Sequence, residues 1–136
     1  MSIPALILAP QVKTALDAGF AAAFEGVPSR YFSAPGRTEI GGNHTDHQHG
    51  CVLAGAVNLD TVAAVRINGT NKIRIQSKGY PMCEVDLSVL EPVDSEINST
   101  PALVRGVAAR FAQLGCEVKG FDAYCESTVL PILAPK

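Results

Sequence analysis

The chain has 136 residues, 47% of them hydrophobic and 18% charged, with 11 Lys and Arg against 13 Asp and Glu for a formal net charge of -2. That length suits one domain, the apolar content excludes a disordered chain, and the lack of a basic run excludes a surface built to neutralise nucleic-acid phosphates. No apolar run reaches the ~18 residues of a membrane span, because Lys13 and Asp17 interrupt the stretch from Ile3 to Phe24. Nothing cationic precedes Lys13, as a secretory leader would require, so a cytoplasmic chain with no membrane partner is expected. Cys51, Cys83, Cys116 and Cys125 form no C-x-x-C pair and read as free thiols of a reducing compartment.

In chain order, Val12, Leu16, Phe20 and Phe24 recur every four positions and predict an amphipathic helix over 11–25, ending near Gly26 and Pro28. A short strand is expected at Tyr31 to Ser33. Thr61 to Ile67 and Lys72 to Ser77 are rich in Val, Ile and Thr, and the intervening Asn68-Gly69-Thr70-Asn71 predicts that they pair as a hairpin. Met82 to Leu87 reads as another strand after the Gly79-Tyr80-Pro81 turn. A second helix is predicted over 101–114, capped by Ser99 or Thr100, with Pro101 in its first turn and Gly115 as its stop. Its buried stripe is expected to be Val104, Val107, Phe111 and Leu114, and Val118 to Cys125 supplies a late strand. A run of strands with helices at either end predicts an α+β fold, a mixed sheet with helices packed on it, and disfavours a dinucleotide-binding sheet.

The chemistry concentrates between Ala34 and Gly50, in the run Ala34-Pro35-Gly36-Arg37-Thr38-Glu39-Ile40-Gly41-Gly42-Asn43-His44-Thr45-Asp46-His47-Gln48-His49-Gly50, which holds all three histidines. Its glycines let backbone approach a ligand, as a small-molecule site on a loop requires. Two chemistries fit. Asn43, His44 and Asp46 offer the mixed donors and acceptors that adjacent sugar hydroxyls need, with Arg37 as a fixed cation for phosphate. Alternatively His44, Asp46, His47 and His49 supply imidazole and carboxylate to a divalent metal, although His-x-Asp-His-x-His puts the four groups on no common face of a helix or strand. The plain readings are an Arg37–Glu39 surface ion pair and turn-forming Asn and Asp side chains.

The run APGRTEIGGNHTDHQHG resembles the N-terminal signature of the galactokinases, relatives of homoserine, mevalonate and phosphomevalonate kinases. VLAGAVNLDTVAAV and STPALVRGVAARFAQLG are similar to the strand and helix that follow it, so the resemblance covers residues 28 to 127. It implies the N-terminal domain fold of that superfamily and transfer of the γ-phosphate of Mg-ATP to the anomeric hydroxyl of galactose. By the same resemblance Asn43, His44 and Asp46 bind the sugar and Arg37 counters charge in the transition state.

Asn43 stands where most galactokinases carry glutamate, and His47 where they carry tyrosine. Residues 131–136 depart from the glycine- and serine-rich phosphate loop expected after the last strand, and the family's base aspartate lies beyond that loop. The expectation is therefore an N-terminal helical segment over 1–27, a galactokinase-like domain over 28–130 with its sugar-binding loop at 34–50, and a divergent tail over 131–136. Such a chain would be an N-terminal fragment or truncated product that carries the sugar half of the site, is inactive alone, and binds no nucleotide tightly. The alternatives are a non-catalytic sugar-binding relic and a metal-binding module. Apolar surface left uncovered would favour a homo-oligomer or a complementary segment.

Overall fold

A computed structural model describes residues 8–42 and 49–129. A helix α1 (Pro10–Phe24) is followed by strands β1 (Arg30–Gly41), β2 (Leu53–Ile67), β3 (Lys72–Ser77) and β4 (Cys83–Asp86). A 3-10 turn at Asp94–Glu96, a helix α2 (Thr100–Gln113) and a last strand β5 (Phe121–Ser127) complete the order. The strands form one sheet in the order β1-β2-β5-β3-β4, antiparallel at every seam except the parallel β3–β5 pair. The α+β fold with a mixed sheet is the one expected.

α1 lies where the four-residue spacing places it. Leu16 and Phe20 are fully buried and Phe24 nearly so, packed against Val62 and Ala64 of β2 with Tyr31 and Tyr124 around them. Pro10 opens the helix, where its missing N–H costs nothing. On the other face of the sheet Ile73, Cys83 and Val85 meet Ala108 of α2. α2 ends in a Schellman motif, in which Gly115 donates to the Ala112 carbonyl at 2.9 Å and Cys116 to that of Phe111 at 3.0 Å, so Gly115 is the stop that was expected.

Three expectations are corrected. First, the predicted β2–β3 hairpin does not form, because β5 runs between its two strands. The turn over 68–71 is splayed by Gly120, which donates to the Thr70 carbonyl at 3.1 Å and accepts from the Asn68 amide at 3.3 Å. A Cβ at Gly120 would press on the Thr70 and Lys72 carbonyls, so only glycine lets β5 enter there. Asn68 closes the turn, accepting from the Thr70 amide at 3.0 Å, while its amide nitrogen reaches Asp122 of β5 at 2.8 Å.

Second, the early strand is not confined to Tyr31–Ser33 but continues to Gly41, so residues 34–41 of the expected 34–50 loop pair with β2. Third, α2 is rotated from its expected stripe. It buries Arg105 and Ala108 and leaves Val107, Phe111 and Leu114 exposed. The cause is an ion pair. Arg105 donates to both Glu96 carboxylate oxygens, at 2.8 and 2.7 Å, and to the Asp86 carbonyl at 2.9 Å, with the Val89 carbonyl as a further acceptor. Ser99 sits at the N-cap position, but its hydroxyl donates to the Glu96 carbonyl instead of capping the helix.

At the sheet centre Asp122 is fully buried and faces Arg66 of β2 and Arg74 of β3 in register. Arg74 donates to its two oxygens at 2.8 and 2.9 Å, and Arg66 to one at 3.3 Å. Burial pushes the Asp122 carboxyl up, but hydrogen bonds from Arg74, Asn68 and Arg66 and the Arg74 charge hold it below the ordinary carboxylate value. A carboxyl lowered in the folded state contributes stability that is complete above its unfolded value, about 3.9, and is lost as pH falls through the folded value. Asp122→Ala should cost about 3–5 kcal/mol by leaving two arginines uncompensated. Urea midpoints should fall between neutral and acid pH in the wild type, and this fall should be smaller in Asp122→Asn.

Candidate functional site

The site expected from the sequence straddles the end of β1. Arg37 lies opposite Ala56 of β2, Thr38 opposite Gly55 and Glu39 opposite Ala54, with register shifts between Pro35 and Arg37 and between Glu39 and Gly41. These irregularities twist the strand just where the polar run begins, as bulges beside sites commonly do. Arg37 points outward with its side chain 74% exposed and donates to Glu39 at 3.0 Å. Residues two apart share a face of a strand, which is why these two meet. In such an exposed position the pair is weak, worth at most about 1 kcal/mol, so a ligand anion could displace Glu39 at small cost.

Beyond Glu39 the strand ends at Gly41, and the next residue, Gly42, has a φ of 82° in the left-handed region. A Cβ there would run into the Cys51 carbonyl, so the two ends of the connection between β1 and β2 close on one another and only glycine fits the closure. His49 is exposed and also has a positive φ, 59°. Asn43, His44, Asp46 and His47 lie outside the described residues, so of the proposed site only Arg37 and His49 have an observed setting. Three of the four metal candidates are outside as well. Among the described residues no group of three or more His, Cys, Asp or Glu side chains could hold a metal.

Sequence reasoning missed a polar cluster beside the β1 bulge. Ser33 donates to the Asp60 carboxylate at 2.6 Å, and the Thr128 amide donates to the Asp60 carbonyl at 2.9 Å. The hydroxyls of Thr61 and Ser127 share a bond of 2.8 Å. Val129 and Val57 both lie close to Gly36, so the segment just after β5 braces the strand that carries Arg37. No local pattern announces this cluster, because its members come from three strands more than 25 residues apart.

A cleft of about 1100 Å³ opens on the other side of the β5 end, lined among others by Thr61, Lys78, Tyr80, Ser99, Thr100 and Thr128. Among the described residues that line it Lys78 is the one cation, and it pairs with Glu126 at 3.1 Å. Cys83 and Cys125 also line the cleft as free thiols, and burial pushes both above the usual thiol value, so neither is a ready nucleophile. The space would admit a nucleotide-sized ligand. The described residues around it do not form a triphosphate cradle, which needs converging amides or several free cations.

Comparison with known proteins connects these features. The family model for the galactokinase galactose-binding signature matches residues 18–67, from the middle of α1 to the end of β2. The galactokinase of Lactococcus lactis subsp. cremoris is 32% identical over 116 residues, covering 82% of this chain and 29% of the relative. That of Streptomyces coelicolor is 31% identical over 102 residues, 75% of this chain and 26% of the relative. The crystal structure of Lactococcus lactis galactokinase complexed with galactose superimposes with a TM-score of 0.72 at 28% identity, over 88% of this chain and 32% of that one. The chain thus spans less than a third of the length of these relatives. No helix among the described residues is long and apolar enough to cross a membrane. With the signature on the β1–β2 unit and the fold superimposing on an enzyme of that name, the chain is galactokinase-like and corresponds to the N-terminal part of that family.

Proposed function

We propose that this chain supplies the galactose-binding half of a galactokinase-type site, in the cytoplasm, with Asn43, His44 and Asp46 holding the sugar hydroxyls and Arg37 countering charge as phosphate is transferred to the anomeric oxygen. The observation that carries this reading is the match of residues 18–67 to the galactose-binding signature, which includes all four residues. An amide, an imidazole and a carboxylate can share donors and acceptors among adjacent hydroxyls, and Asp46 is the strongest acceptor of the three. Arg37 suits its role because it stands on a braced strand, exposed, with only a weak partner to leave.

Mg-ATP is the phosphate donor that the family implies. The described residues around the β5 cleft do not cradle its phosphates, so the 136-residue polypeptide by itself is proposed to bind galactose weakly and to transfer no phosphate. We keep the division into a helical segment over 1–27, a domain over 28–130 with its sugar-binding segment at 34–50, and a tail over 131–136 as part of this proposal, and self-association as another. The sugar-binding relic is the same reading without a catalytic partner. The metal module, built on His44, Asp46, His47 and His49, is separated by metal analysis of the purified chain.

Calorimetry with galactose should show binding in the wild type and none in Asp46→Ala; equal heats in both would remove the site from this loop. The chain alone should release no galactose-dependent ADP. Joined to the remaining two thirds of a galactokinase it should turn over, and Arg37→Ala should then lower kcat roughly 10²-fold with little change in KM for galactose, the pattern of a transition-state contact. Gly42→Ala must take up a left-handed φ and displace the Cys51 carbonyl. It should lose about 1–3 kcal/mol of stability in thermal melts together with most of the galactose response.

A further inference from the structure

We propose that Asp60 is a positioning residue for Arg37, tying the strand that carries Arg37 to the chain that leaves β5. This inference rests on the role given to Arg37 above. The β1–β2 ladder is regular from Arg30 opposite Val65 to Pro35 opposite Asp60. The next pair is Arg37 opposite Ala56, so residues 57–59 of β2 stand against the single Gly36 of β1. In an uninterrupted ladder Arg37 would lie opposite Asn58 instead, displaced by two residues, or about 7 Å, along β2. The bulge therefore sets where Arg37 stands, and bulges are a known device for re-aiming a side chain.

Asp60 stands where both neighbours depart from β2. Toward β5, its N–H donates to the Thr128 hydroxyl at 3.1 Å, where a regular ladder would use a carbonyl. Its carbonyl accepts from the Thr128 amide at 2.9 Å and from the Thr128 hydroxyl at 3.1 Å. With its backbone groups turned to Thr128, Asp60 reaches β1 through its side chain, whose carboxylate accepts the Ser33 hydroxyl at 2.6 Å, a short charge-assisted bond. One residue thus joins three chain segments at the mouth of the bulge. The next residue after Thr128 fills it: a Cβ on Gly36 would lie 2.9 Å from Val129 and 3.1 Å from Val57.

Arg37 depends on such a hold. Its side chain is 74% exposed, and its partner Glu39 belongs to the same strand, so that pair moves with the strand and cannot anchor it. The aim of the guanidinium comes from the backbone beneath it, which Ser33, Asp60 and Val129 fix. Pre-set placement lowers the ordering cost of a contact made through a long side chain. The residues proposed to hold the sugar hydroxyls lie past Gly42, whose closure on the Cys51 carbonyl is a separate hold. Loss of the Asp60 tie should therefore act on the contact of Arg37 with phosphate and spare the sugar hydroxyls. Galactose 1-phosphate, the product of transfer to the anomeric oxygen, carries both groups and separates the two effects.

Calorimetry of the full 136-residue chain with galactose and with galactose 1-phosphate tests this. The wild type should prefer the phosphorylated sugar about tenfold, the scale of one hydrogen bond to a charged group, and Arg37→Ala should abolish that preference. Asp60→Ala and Ser33→Ala should each cut the preference to about threefold or less while galactose affinity moves by less than about twofold. Asp60→Asn, whose amide oxygen still accepts the Ser33 hydroxyl, should keep most of the preference. An unchanged preference in Asp60→Ala and Ser33→Ala, a parallel loss of affinity for both sugars, or a preference that Asp60→Asn fails to keep overturns the role of Asp60. No galactose heat in the wild type, or a preference that Arg37→Ala leaves intact, overturns the sugar-site reading itself and the role of Asp60 with it.

Discussion

Three strands of the sheet are held in their order by one carboxylate. Asp122 is fully buried between Arg66 on one neighbouring strand and Arg74 on the other, each opposite it in register. A charge taken out of water must be compensated on the spot, so a lone carboxylate at this depth dictates that both neighbours carry cations and that β5 lie between them. The arginines in turn are covered by α1. Arg66 lies 5.1 Å from the Phe20 ring centroid and Arg74 5.3 Å from that of Phe24. Arg66 also donates to the Glu25 carbonyl at 2.9 Å and the Phe24 carbonyl at 3.3 Å, satisfying the helix end where a cation is favoured. Sheet order, helix position and helix stop thus meet at a single group.

This constraint also explains what could be read from the chain in advance. The helices were legible because their signals are local: the four-residue spacing of Val12, Leu16, Phe20 and Phe24, the proline at 101, and the glycine at 115. The identity of most strands was legible for the same reason. Strand order was not, because the Asn68–Asn71 turn carries a hairpin signal equally compatible with strands that reverse direction and stand apart. What decides between them is Asp122, more than 45 residues downstream of Arg74, whose demand for two cations no window of sequence displays. The stripe of α2 differs from the expected one because apolar spacing alone takes no account of Arg105, whose bidentate pair with Glu96 lets it be buried.

The candidate site was legible as chemistry and only partly as geometry. Arg37, Asn43, His44 and Asp46 are named as candidates through residue type and resemblance, since a dense polar run among glycines is a local feature. The structure adds the parts that distant residues supply: the bracing of Gly36 by Val129, the Ser33–Asp60–Thr128 bonds under the bulge, and the closure of Gly42 on Cys51. Each of these fixes the described end of β1, beside Arg37. A segment whose flanks are fixed in advance spends less ordering entropy when it meets a ligand.

The two halves of the sheet solve burial in opposite ways, and the contrast locates where the molecule is self-sufficient. Over β2 and β5 the charges face inward and are fully compensated, with Asp122, its two arginines and the aromatic rings of α1 forming a closed unit. Over β3 and β4 the inward charge of Arg105 is equally well compensated by Glu96 and the Asp86 and Val89 carbonyls. The cost falls on the opposite face of the same helix. Of its residues 100–113, only Thr100, Arg105, Arg110 and Gln113 are polar, and the one best able to solvate the outer surface is committed to the interior. Turning α2 to bury Phe111 would expose an arginine but strand Glu96 and two carbonyls, a loss comparable to that of an unpaired buried charge and larger than the ~1.5–3 kcal/mol from covering one aromatic side chain. Inward commitment of Arg105 therefore leaves Thr100, Arg110 and Gln113 as the polar residues of an outer face that otherwise exposes Leu103, Val107, Phe111 and Leu114.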